Sequence, residues 1–165
     1  MSVSKAEPLS SDEEALWRSL MQVLLALPRV LDRDMVRATG LTANEYKVLM
    51  HLSEAPDCQL RMAELAIATA LSASRMTRLV DDLQSRGLVS RRTSENDGRG
   101  NVAALTAAGR EKLVSAWPAH LASARHHVFD HLSGPDVKRA AQVLGKLATR
   151  LSQERQGGVS AKRSK

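Results

Sequence analysis

Aromatic side chains make up only 2% of the 165 residues, two Trp, one Tyr and one Phe in all. Gripping unpaired nucleic acid by stacking requires rings in series, so that kind of single-strand recognition has few platforms here. Cysteine is scarcer still. Cys58 stands alone, so no intrachain disulfide can form, and the chain is expected to be cytoplasmic. No apolar run is long enough for a bilayer-spanning helix, and the opening MSVSKAEPLSSDEEA is polar and acidic rather than a secretory signal. P-loop, GxGxxG, GxSxG and HExxH motifs are all missing, and the scattered histidines have no obvious nucleophile beside them. No catalytic residue, cofactor or metal is therefore assigned, and the chain is expected not to be an enzyme.

What the chain does have is 43% hydrophobic residues, enough over 165 positions for one domain with a substantial core, and a formal net charge of +6. Residues 72 to 101 hold Arg75, Arg78, Arg86, Arg91, Arg92 and Arg99 against Asp81, Asp82, Glu95 and Asp97, a local excess of two. From Arg150 onward five basic residues meet only Glu154, and the ending QGGVSAKRSK reads as a disordered basic arm.

The stretch from Ser72 to Thr106 carries the most information. Ala73, Met76, Leu79, Val80 and Leu83 recur at three- and four-residue intervals and form one apolar stripe, leaving Ser74, Arg75, Thr77 and Arg78 on the other side. Ser72 is placed as N-cap, where unpaired backbone N–H groups and the positive end of the helix dipole suit a phosphate. Gly87 stops the helix. Leu88 to Arg92 and Val102 to Leu105 then pair as strands around Asp97-Gly98-Arg99-Gly100, whose Asp-Gly step signals a hairpin. A helix fits the major groove and an extended arginine fits the minor groove, so double-stranded DNA is the expected partner, contacted by Ser72, Ser74, Arg75, Thr77, Arg78, Asp97 and Arg99. Upstream, Thr42-Ala-Asn-Glu45 has capping-box spacing and opens a helix with Tyr46, Leu49, Met50 and Leu52 facing a core, which Ala55-Pro56-Asp57 ends. Arg61 to Ala70 is a short second helix joined tightly to Ser72, completing a helix-turn-helix.

Gly40 to Gly109 resembles the winged helix-turn-helix of the MarR family of bacterial transcriptional regulators, on four segments in register: GLTANEYKVLMHLSE, MAELA, SASRMTRLVDDLQSRGLVSR and DGRGNVAALTAAG. The fold class is accordingly mainly α with a small β-hairpin wing (α+β), a winged helix-turn-helix with a helical dimerisation region. The first helix opens at Ser11-x-x-Glu14, carries Leu16, Leu20, Val23, Leu24, Leu27, Leu31 and Met35, is kinked at Pro28 and stops at Thr39-Gly40. The last helices run from about Thr106 to Leu132 and from Ser133-Gly-Pro-Asp136 to about Gln153, the latter striped by Val137, Ala141, Leu144, Leu147, Ala148 and Leu151. The expected organisation is a disordered tail over 1–10, a helical dimerisation region over 11–40 and 106–153, the DNA-binding domain over 41–105 and a basic disordered tail over 154–165. Two half-sites about one DNA turn apart (~34 Å) need two recognition helices, so a homodimer on a palindromic operator is expected.

The resemblance further implies a ligand-responsive repressor that releases DNA when a small aromatic or phenolic acid enters a crevice between dimer helices and winged domain. Trp17 and Arg18 are the candidates to stack on its ring and pair with its carboxylate. A urate-responsive subgroup uses a first-helix tryptophan in this way, together with an aspartate, for which Asp57 is the candidate here, and arginines. Zinc-responsive members place an HxxxH pair on the fifth helix. His127-x-x-x-His131 has that spacing, with His126 and His120 nearby, but Tyr46 stands where a further ligand is wanted and His51 is displaced. Cys58 lies away from the position of peroxide-sensing cysteines and reads as a structural thiol. The alternatives are an architectural DNA-binding protein without an effector and a zinc-responsive regulator.

Overall fold

The structure, a computed structural model, describes residues 7–93 and 101–161. Asp97 and Arg99, the expected wing tip, lie outside the described residues, as do Met1 to Ala6 and the last four positions. Six helices and a small sheet follow in order: α1 Ser11–Thr39, α2 Ala43–Glu54, a 3-10 turn Pro56–Cys58, β1 Gln59–Arg61, α3 Met62–Thr69, α4 Ala73–Ser85, β2 Val89–Thr93, β3 Asn101–Leu105, α5 Ala107–His127, a 3-10 turn Phe129–His131 and α6 Gly134–Ala161. Two compact units arise, one ending at Ser123 and one beginning at Ala124, so the division falls inside α5. No described helix is long and apolar enough to cross a membrane.

Local chemistry sets most boundaries. The capping box of α1 is Ser10/Glu13 rather than Ser11/Glu14: Ser10 Oγ accepts the Glu13 N–H, and Glu13 accepts the Ser10 N–H at 2.8 Å. Glu14 is spent on Arg18, one turn further along the same face. The helix runs unbroken through Pro28 and ends at Gly40, whose left-handed φ of 70° lets its N–H cap Val36. The Thr42/Glu45 box opens α2 as expected, and Asp32 of α1 accepts the Ala43 N–H at 2.9 Å. α5 stops at His127 rather than near Leu132, because Val128 (φ −131°, ψ −64°) leaves helical geometry. Ser133 and Asp136 then cap each other and α6 begins. Its backbone stays helical to Ala161, eight residues beyond the expected end near Gln153 and through most of the segment expected to be disordered.

The sheet has the order β1-β3-β2, antiparallel throughout, with Leu60 opposite Ala103 and Arg91 opposite the same Ala103 from the other side. The wing pairing is the expected one, whereas β1 is an addition. Met35, Leu41, Tyr46, Val48, Leu49, Leu52, Leu65, Met76, Val80, Leu83, Val89, Ala103 and Ala116 form the buried core. Ala73, expected in the α4 stripe, is exposed at the start of its helix, and Leu79 and Met50 are half-buried.

Two polar knots fix the recognition unit. Arg86, just past α4, donates to the buried Glu45 carboxylate at 2.8 Å and to the Gly40 carbonyl at 3.1 Å, pinning the far end of α4 to the α1–α2 corner. Removing one partner of such an inward charge leaves the other uncompensated, so both are kept or lost together. At the other knot the Thr106 hydroxyl donates to the carbonyls of Gly87 and Leu88 and accepts the Gly109 N–H at 2.9 Å. That ties α5 to the base of the wing.

Candidate nucleic-acid interface and adjoining cavities

Ser72 caps α4, its Oγ accepting the Arg75 N–H at 3.3 Å, and the Ser74 hydroxyl lies 3.3 Å from that of Ser72. With Met76, Val80 and Leu83 buried, a helix of 100° per residue places Ser74 and Arg78 roughly opposite the core and Arg75 only about 105° from it. All three are exposed, but they look in different directions. Thr77 is half-buried and its hydroxyl donates back to the Ala73 carbonyl at 3.0 Å, so it is less free than its position suggests.

The arginines divide into two classes that the sequence shows as one. Arg86 is consumed by Glu45, Gly40 and Asp82, and Arg91 of β2 pairs with Asp81 of α4 at 2.9 Å. Arg75, Arg78 and Arg92 form no ion pair among the described residues. Within α4 and β2, the arginines without an ion pair among the described residues thus sit on the outward side and flank of α4 and on β2. Arg92 was not singled out by sequence reasoning; only the pairing of Asp81 with Arg91 sets it apart.

Two cavities adjoin α4. A polar one of about 340 Å³ is lined by Asp32, Thr42, Asn44, Glu45, Arg75, Arg78, Leu79 and Asp82. A more apolar one of about 420 Å³ lies among α1, α2, α4 and α5, with Leu27, Pro28, Leu31 and Ala43 as its greasy walls and Tyr46 and His120 at one side. Arg29, Lys47 and Arg75 bring positive charge to it against Asp32 alone. Tyr46 and His120 stack with ring centroids 4.5 Å apart, and Trp117 lies tilted 6.1 Å from His120. This concave, mostly apolar space with a few convergent charges is the form that small-molecule sites take.

Trp17 and Arg18 line neither cavity. Trp17 is exposed and Arg18 is paired with Glu14, and the cavity wall begins at Leu27, about 15 Å further along α1. Asp57 sits in the 3-10 turn at φ 53°, and neighbouring Cys58, at φ 55°, is half-buried with its Sγ 2.7 Å from the Arg110 guanidinium. His127 ends α5 while His131 belongs to the following 3-10 turn, so the HxxxH pair does not share one helical face. Among the described residues no group of three or more His, Cys, Asp or Glu is placed to hold a metal.

Burial, and then the charge of Lys47, hold the His120 imidazole below its usual value of 6.5. The sign follows from linkage: a histidine depressed in the folded state binds its proton more readily when unfolded. Its contribution to stability is whole above about pH 6.5 and is lost as pH falls through the folded value. The melting temperature of the parent should therefore drop more steeply between about pH 7 and pH 5 than that of His120→Asn. Parallel pH profiles would show that the ring binds its proton equally well in the folded and unfolded chain.

A MarR family profile matches residues 39–100. The transcriptional repressor MprA of Escherichia coli (strain K12) is 31% identical over 125 residues, spanning 76% of this chain and 70% of MprA. Among solved structures, Sco3205, a MarR family transcriptional regulator from Streptomyces coelicolor in complex with DNA, superimposes with a TM-score of 0.81 at 32% identity, over 88% of this chain and 91% of that one. CouR from Rhodococcus jostii RHA1, bound to p-coumaroyl-CoA, gives 0.68 at 26% identity over 87% and 96%.

Proposed function

This chain belongs to the MarR family of transcriptional regulators, and from that premise we propose that it is a repressor that binds a palindromic operator in double-stranded DNA as a homodimer and releases it when a small aromatic or phenolic acid binds. It acts by binding rather than by catalysis, in the cytoplasm. The observation that carries the DNA-binding part is α4: a capped amphipathic helix whose outward side bears Ser74 and Arg78, the latter without an ion pair among the described residues, with Arg75 on the flank. Ser72 supplies a further donor, Thr77 joins the contact once its hydroxyl turns from the Ala73 carbonyl, and Arg99 with Asp97 completes it from the wing. That Sco3205 was solved on DNA with the same fold supports the reading, as the name of MprA supports repression. The effector part rests on the 420 Å³ cavity, whose apolar walls and excess positive charge suit an aromatic anion, and on the bound acyl-CoA of CouR.

Enrichment of duplexes from random sequence by the parent protein should yield a palindrome. Arg78→Ala should then weaken binding to it by about 1 to 3 kcal/mol and narrow the gap between specific and scrambled duplexes. An unchanged affinity ratio would remove α4 from the reading role. Effector candidates are aromatic carboxylates and urate, screened by thermal shift and titrated into the protein–DNA complex. Ala43→Trp, which fills the cavity, should abolish the response, whereas loss of response in Trp17→Ala and Arg18→Ala instead would return the site to the first-helix pair.

A further inference from the structure

Arg75 is the only residue of the recognition helix that lines both cavities. We propose that Arg75 is the switch itself: one guanidinium shared between DNA and the effector, so that an anion in the larger cavity releases DNA by capturing this side chain. The proposal rests on the reading of that cavity as the effector site and adds how the site is coupled to DNA.

The geometry makes the two uses exclusive. Arg75 stands on the first turn of α4 with its backbone fixed by the Ser72 cap, on the flank between the outward face and the α1–α2 side. Its neighbour Arg78 lies one turn on and lines only the smaller cavity. Among the described residues Arg75 has no carboxylate partner. Asp32, the acid in the lining of the larger cavity, already accepts the Ala43 N–H. One side chain can be turned outward to a guanine edge or inward to a carboxylate in the cavity, not both, and its guanidinium holds either in two parallel bonds. Leu27, Pro28 and Leu31 give the anion aliphatic walls, and Arg29 and Lys47 add positive charge to the lining beside Arg75. A ligand that takes Arg75 therefore binds the DNA-free state more tightly than the DNA-bound state, which is what release requires.

Tethering tests this without knowing the natural effector. In a Cys58→Ser background, Ala43→Cys is coupled through a disulfide to a 2-sulfonatoethyl group or to a 2-trimethylammonioethyl group, and binding to the enriched palindrome is measured by fluorescence anisotropy. The anionic adduct should weaken DNA binding about 5- to 150-fold, the loss of one such contact, and the cationic adduct should not. Arg75→Gln should weaken binding by a similar factor and make the anionic adduct silent, because both changes remove the same contact and cannot add. Lys47→Cys offers a second anchoring point on the same lining if Ala43→Cys does not fold. An anionic effect that adds in full to Arg75→Gln, or equal effects from both adducts, overturns the switch. Failure of every free aromatic acid to release DNA from the parent would instead count against the effector reading, and leaves the tethered result standing.

Discussion

Replacing Gly109 by Ala should unfold or loosen the protein far more than its one added methyl group suggests. A Cβ at this position would stand 2.0 Å from the Leu88 carbonyl oxygen and 2.9 Å from Leu105 Cδ1. The first of these is backbone, and it cannot rotate aside. It is also the oxygen that accepts both the Thr106 N–H at 3.2 Å and the Thr106 hydroxyl at 3.0 Å, so moving it undoes the knot between α5 and the wing. Overpacking against an immobile neighbour costs about 3 kcal/mol or more, which for a chain of this size is a fall of about 6–12 °C in melting temperature. Gly87→Ala is the comparison. Nothing lies within 4 Å of its added Cβ, but φ is +72°, so only the left-handed penalty of about 1–2 kcal/mol applies. Thermal or urea unfolding of both variants should rank Gly109→Ala well below Gly87→Ala, and equal losses would mean that α5 can draw back from Leu88 cheaply.

That same corner shows which parts of the molecule its residues announce. Thr42 with Glu45, Ser72, Gly40 and Gly87 were legible because each acts within four residues of itself: caps and left-handed stops are written in the local chain. The α1 start was misplaced by one residue because Ser10/Glu13 and Ser11/Glu14 have the same spacing, and only the Arg18 that claims Glu14 breaks the tie. β1 was not legible. Its three residues gain their structure from pairing with β3 some forty positions later, and the turn before it puts Asp57 and Cys58 at positive φ with no glycine to signal it. Val48 was missed beside Leu49 because α2 is enclosed by α1, α3 and the sheet, so adjacent residues are both buried and the amphipathic period disappears.

The site was half legible for the same reason. The outward residues of α4 follow from helical period alone, and Ser74, Arg75 and Arg78 are exposed as expected. Which arginines are free does not follow, since Arg86 finds Glu45 forty-one residues away and Arg91 finds Asp81 across the strand junction. The larger cavity draws its lining from four helices. Trp17 and Arg18 are the signal that adjacent residues on α1 offer, whereas the cavity gathers Tyr46, His120 and Arg75, residues that no sequence spacing links.

Leu147→Asp should separate the protomers and with them the grip on DNA. Val143, Leu144, Leu147 and Leu151 of α6 are each about half exposed or more in the single chain, a contiguous apolar stripe of the kind that soluble monomers seldom leave uncovered. α1 likewise exposes Leu16, Trp17, Val23, Leu24 and Leu25. A second copy of the chain is the occupant that the DNA demands, because one α4 reads one half-site and a palindrome offers two. An aspartate in the middle of the α6 stripe would be buried without a partner on association, and the pair would give way before the charge is desolvated. Losing the simultaneous engagement of two half-sites then weakens binding to the full palindrome by about 100-fold or more, while a single half-site should be bound as weakly by the variant as by the parent. Lys146→Asp, off that stripe and carrying a larger change of charge, separates electrostatics from the interface: it should stay dimeric. Light scattering gives the oligomeric state, circular dichroism the fold, and anisotropy the affinity for full and half palindromes. A folded Leu147→Asp monomer that holds the full palindrome as tightly as the parent would refute the dimer as the DNA-binding form.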